Sequence, residues 1–193
     1  MEKIPVYRFK CLPDDESKLE AVALVDTPAI EMNWQAFSNN NYKFSAIEEK
    51  RIISGPLMVA DLPIYRRDAS GEYYGVFEAE DIYNLRNKFF KQSLDKSVNM
   101  MHDSNQMVEG VYMIESFLID STRGIFSPKG YNLTDGSWFG SYKVDNDEIW
   151  NDFIKTGEFK GFSVEGLFNT VKIEDKPIDL IEQIIEIVKN IDN

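Results

Sequence analysis

The chain is poor in the residues that build most metal and redox sites. Among its 193 residues there is one cysteine, Cys11, and one histidine, His102. A single cysteine excludes an intrachain disulfide and any cysteine-based zinc site. A single histidine excludes His-pair metal motifs and any catalytic triad with two imidazoles. Basic residues are also scarce: 21 Lys+Arg against 33 Asp+Glu leave a net charge of −12. That balance argues against nucleic-acid binding, which needs a basic surface to displace counterions from phosphates. No apolar run approaches the ~18 residues of a membrane span. The opening MEKIPVYRFK lacks the apolar stretch of a secretory signal. With the free cysteine, this fits a reducing cytosol. No Gly-rich phosphate loop with its lysine is present. No cofactor and no metal are expected.

What is present suffices for a core. Hydrophobic residues make up 43 % of the chain and aromatics 13 %, and the length suits one domain spanning 1–193. Strands are expected over 4–9, 20–26, 51–60, 73–77, 97–101, 110–119, 138–144 and 159–172, with a hairpin of 33–37 and 41–48. Thr27-Pro28 closes the second strand, because a residue before proline avoids the helical region. Gly55-Pro56 predicts a bend or bulge in the run 51–60. Three helices are expected. The first covers 79–92, with Ile82, Leu85 and Phe89 at helical spacing. The second covers 146–156, capped by Asp145 or Asn146 and stopped by Gly157. The third covers 177–191, opened by Pro177, with Leu180, Ile184, Ile187 and Ile191 forming a core-covering face or an oligomer seam. Many short strands with three helices give an α+β fold or a helix-decorated barrel.

Two places could carry chemistry. His102 ends the apolar run Val98-Asn99-Met100-Met101, where a side chain is held rigidly but accessibly. A surface or capping histidine is the bland alternative. In Gly161-Phe162-Ser163-Val164-Glu165-Gly166, strand alternation puts Ser163 and Glu165 on one face and Phe162 and Val164 on the other. Serine is a weak nucleophile without an adjacent base, and His102 is the one imidazole that could serve. The segment is not a G-x-S-x-G elbow, because Glu165 stands where that motif has glycine. An ordinary strand serine is the bland reading here. Asp145-Asn146-Asp147 begins like a calcium loop, but Trp150 occupies the glycine position, so helix capping is the better account. Asp14-Asp15-Glu16 reads as a solvated loop, and Trp34, Trp138 and Trp150 as core or interface.

Taken in order, VNMMHD (98–103), Glu109-Gly110-Val111, WFGSYKV (138–144), Lys155-Thr156-Gly157 and KGFSVEG (160–166) resemble phage prohead maturation proteases of the XkdF type. Ala23-Leu24-Val25-Asp26-Thr27-Pro28-Ala29-Ile30 resembles that group's opening motif, so the likeness runs over about 4–172. The resemblance implies a relation to herpesvirus assemblin proteases: a closed, mostly antiparallel β-barrel decorated by helices, here circularly permuted. It implies a serine endopeptidase that cleaves scaffold and major capsid proteins, and itself, inside the assembling prohead in the host cytoplasm. It also implies a homodimer; the charge balance and the lack of a long apolar run already argue against a nucleic-acid or membrane partner. His102 would be the general base and Ser163 the nucleophile. At the acid's expected place stands Ala21, so Glu165 is the natural third member, with Asp103 and Glu20 as alternatives. The rival class is a non-catalytic capsid-assembly or scaffold-binding module that keeps the barrel.

Overall fold

A computed structural model describes residues 4–28, 42–68 and 71–173. The helix expected over 177–191, the strand expected over 33–37 and Trp34 lie outside the described residues. Among the described residues, twelve strands form three four-stranded sheets. β1 (Val6–Lys10), β5 (Ile64–Asp68), β6 (Gly71–Val76) and β12 (Asn169–Lys172) make the first, in the order β12-β1-β6-β5. β3 (Ser45–Ile47), β4 (Ile52–Met58), β9 (Val111–Leu118) and β10 (Trp138–Val144) make the second, in the order β3-β4-β10-β9. β2 (Lys18–Val25), β7 (Val98–Met100), β8 (Asp103–Met107) and β11 (Gly161–Leu167) make the third, in the order β11-β2-β7-β8. Pairing is antiparallel except for β1–β6 and β2–β7.

The expected closed barrel is therefore corrected: the molecule is mostly β and its sheets are open. The run 159–172 was expected as one strand, but it changes sheets. β11 pairs with β2, and after Phe168 the chain continues as β12 against β1. Phe168 turns inward at the switch, with its ring 5.7 Å from Phe9 and 5.0 Å from Phe77. The third sheet ends at β8, whose residues 104–107 are exposed and polar apart from Met107, as suits an unpaired edge. The permutation, which was framed on a barrel, falls with it.

The core lies where these sheets meet helix α1 (Ala79–Lys91). Ile82, Leu85 and Phe89 of α1 are fully buried, and Phe89 meets Trp138 edge-on at 5.4 Å. Phe162 sits between Phe44 at 5.4 Å and Tyr142 at 5.1 Å. Burying each such side chain contributes about 2–3 kcal/mol. Trp138 and Trp150 are core residues, as expected. The second expected helix is present as a wide π-helical turn, Ile149–Ile154. Asn146 caps it, its Oδ1 accepting from the Ile149 N–H at 3.0 Å, and Gly157 ends it at φ +73°. Two helices are thus found among the described residues. None of them is long and apolar enough to cross a membrane.

Candidate functional site

The site is built on three neighbouring strands of the third sheet. β11 lies against β2 closely enough to require glycine at both ends of its central segment. A Cβ on Gly161 would stand 2.1 Å from Pro28 Cγ, and one on Gly166 would stand 2.1 Å from the Lys18 carbonyl oxygen. The register slips between Glu165 and Gly166, so Gly166 marks a bulge. Between the two glycines, Phe162 enters the core and Ser163 and Glu165 take the other face.

That other face is shaped by small residues on β2. Ser163 faces Ala23 and Glu165 faces Ala21, while Ala23 on its other side faces Asn99 of β7. Ser163, Ala23 and Asn99 thus form one row across three strands. Ser163 is 4 % exposed and Asn99 is 1 % exposed. The Asn99 Nδ2 donates to Glu165 Oε2 at 2.8 Å. The Asn99 Oδ1 has no donor among the described residues.

His102 arrives from the β7–β8 turn. Met100 pairs with Asp103, so Met101 and His102 alone connect them, at φ +51° and +62°. Two positive φ values in a two-residue hairpin loop define a type I′ turn, which ordinarily carries Asn and Gly. The Met101 N–H donates to the Leu24 carbonyl at 3.0 Å, which ties the turn to β2. This holds His102 Nδ1 3.7 Å from Glu165 Oε2. The structure thus brings His102 and Glu165 together and puts Ser163 on Glu165's face. His102 and Ser163 are not hydrogen-bonded to each other.

The other two acids are engaged elsewhere. Asp103 accepts from Gln106 Nε2 at 2.7 Å and from the Asn105 N–H at 2.9 Å. These hydrogen bonds, the Gln106 one foremost, hold its carboxyl below the usual range. Glu20 has the opposite strand parity and pairs with Lys18 at 3.0 Å. Among the described residues, no group of three His, Cys, Asp or Glu side chains could hold a metal ion. Sequence reasoning missed Asn99. Its signal was a polar residue inside the apolar run VNMM.

His102 and Glu165 thus meet beside the third sheet, with Ser163 on the same strand face as Glu165. Residues 43–172 match the family model described as "Putative phage serine protease XkdF". The chain belongs to this phage serine protease family. The match contains Asn99, His102, Ser163 and Glu165 but not β1 or β2. No curated protein and no solved structure matches the chain, so the herpesvirus relation is not shown.

Proposed function

We propose that this protein is a serine endopeptidase that cleaves scaffold and capsid proteins, and itself, during phage prohead maturation. Ser163 is the nucleophile, His102 its general base, and Glu165 the acid that orients the imidazole. The observation that carries the reading is the approach of His102 Nδ1 to Glu165 at 3.7 Å, beside a serine on the same face of the family's matched segment.

With Nδ1 turned to Glu165, Nε2 of His102 is the nitrogen left to take the Ser163 proton. The serine oxygen then attacks the scissile carbonyl, and the imidazolium returns the proton to the departing amine. Water hydrolyses the acyl-enzyme by the same route in reverse. Glu165 holds the imidazole tautomer and stabilises the imidazolium. Catalytic hydrogen bonds in a free enzyme are often long and tighten when substrate binds. His102 is 42 % exposed and stands on a turn, so it has room to close on Ser163. In the same reading the active form is a homodimer, which sedimentation at rising concentration tests.

A fluorophosphonate probe followed by peptide mapping tests the assignment. An adduct on Ser163 is expected, and none in Ser163→Ala. A folded wild type that takes no label, or a Ser163→Ala variant that still cleaves scaffold, overturns it. The former result is the one a non-catalytic assembly module gives.

A further inference from the structure

We propose that Asn99 is a positioning residue that sets Glu165 toward His102 from the far side of β2. The inference rests on the serine protease reading above. Its basis is a side-chain bridge across an entire strand. Asn99 sits on β7 and Glu165 on β11, with β2 between them. Two strand spacings amount to about 9.5 Å, yet Asn99 Nδ2 and Glu165 Oε2 are 2.8 Å apart. The bridge closes because the Glu165 side chain is long enough to reach over β2 and because β2 presents Ala21 and Ala23 beneath it. A larger residue at either alanine would stand in the way.

The bond is made to a specific oxygen. Glu165 Oε2, which receives the Asn99 amide, is also the oxygen nearest His102 Nδ1. The amide N–H fixes that oxygen in place without adding charge, and it removes one rotational freedom from a side chain on a strand. The same amide leaves its Oδ1 buried and without a donor among the described residues. Such orphaned acceptors are rare in folded proteins. An apolar residue of similar size would fill the space without that penalty, so packing alone does not account for asparagine here. Asn99 makes no hydrogen bond to Ser163 or to His102. It acts through Glu165.

The single histidine makes the test unambiguous, because the imidazole 15N spectrum has one source. In mildly alkaline buffer the wild type should hold its ring proton on Nδ1, facing Glu165. Asn99→Leu should shift the population toward the Nε2–H form that free imidazole prefers, as Glu165→Gln does. With a scaffold substrate, kcat should fall about ten- to a hundredfold with KM unchanged, the range of other orienting contacts outside the reacting groups. If Asn99→Leu does not fold, Asn99→Ser removes the reach while keeping a hydroxyl, with the same shift expected. A tautomer that moves in Glu165→Gln but not in the folded Asn99 variant overturns the proposal and leaves the protease reading intact. A tautomer unmoved even by Glu165→Gln overturns the His102–Glu165 pair as well. Labelling of Ser163 reports independently on the nucleophile.

Discussion

Two polar clusters in this molecule are built to opposite standards. The first joins the loop between β1 and β2 to α1. Asp81 receives Arg8 Nε at 2.9 Å and the Cys11 N–H at 3.0 Å, and Asn84 Nδ2 donates to the Cys11 carbonyl at 2.9 Å. Lys88 Nζ reaches Asp15 Oδ1 at 2.7 Å, the Asp15 carbonyl at 2.9 Å and the Ser17 carbonyl at 2.8 Å. Asp15 also takes Leu12 N–H, Ser17 and Asn169. Burial pushes the Cys11 thiol up, which makes it a packing residue with little thiolate. No residue of this loop has a positive φ. The second cluster is the candidate site. It contains an Asn99 oxygen without a donor among the described residues, a His102–Glu165 gap of 3.7 Å and two consecutive non-glycine residues at positive φ. A fully satisfied network anchors structure, whereas unmet bonds and backbone strain concentrate where a partner completes the site. The contrast predicts that variants of the two clusters separate stability from activity.

The largest effect should come from Ser163→Ala, with kcat falling about 10⁶-fold and little change in the denaturation midpoint. Glu165→Gln should follow at about 10⁴-fold, again with stability near the wild type. Cleavage and denaturant titrations of the same samples check both. A Ser163→Ala variant that unfolds as readily as a core truncation would erase the distinction between the clusters.

Lys88→Met should do the reverse, lowering stability by about 3–5 kcal/mol while each folded molecule keeps its activity. The loss arises because Asp15, 17 % exposed, keeps its charge in place without its cation. Asp15 carries the pH dependence. Burial alone would raise its carboxyl, but hydrogen bonds from Lys88, Ser17, Leu12 and Asn169 outweigh that and hold it well below the usual range. The folded state therefore favours the charged form. Its contribution is complete above the unfolded value of about 4 and is lost as pH falls below it. Urea titrations from about pH 5 downward should show a steeper loss in the wild type than in Asp15→Asn. Equal slopes would remove Asp15 from the anchoring role.

The same contrast governs what the sequence disclosed. Apolar alternation is local, so β10 was legible to the residue and α1 to within one residue. Strand alternation put Ser163 and Glu165 on one face, which the register of β11 against Ala23 and Ala21 bears out. β8 was missed because its bulged edge faces water and carries no apolar pattern: Met107 faces Asn99 and Asp103 faces Met100, so 104–106 loop out between them. The strand 159–172 read as one because its apolar pattern continues through Phe168, while the change of sheet depends on distant partners. The error about the barrel has the same origin, since closure is a property of strand pairing. Asp15 was read as solvated because its cation, Lys88, lies 73 positions along the chain.

The smallest predicted effect probes the strain itself. Met101 is 49 % exposed and stands at φ +51°, so it contributes little burial and bears a left-handed backbone. A residue with a Cβ in that region costs about 1–2 kcal/mol. Asparagine tolerates it and is favoured at the first position of a type I′ turn. Met101→Asn should therefore stabilise the protein by about 0.5–1 kcal/mol, or roughly 1–4 °C in a chain of this size. The Met101 N–H that ties the turn to Leu24 is retained, so His102 should stay in place and kcat should hold. No equivalent gain exists in the β1–β2 loop, where no residue has a positive φ. A Met101→Asn variant that gains no stability would show the turn to be unstrained and would leave the two clusters differing only in their hydrogen bonds.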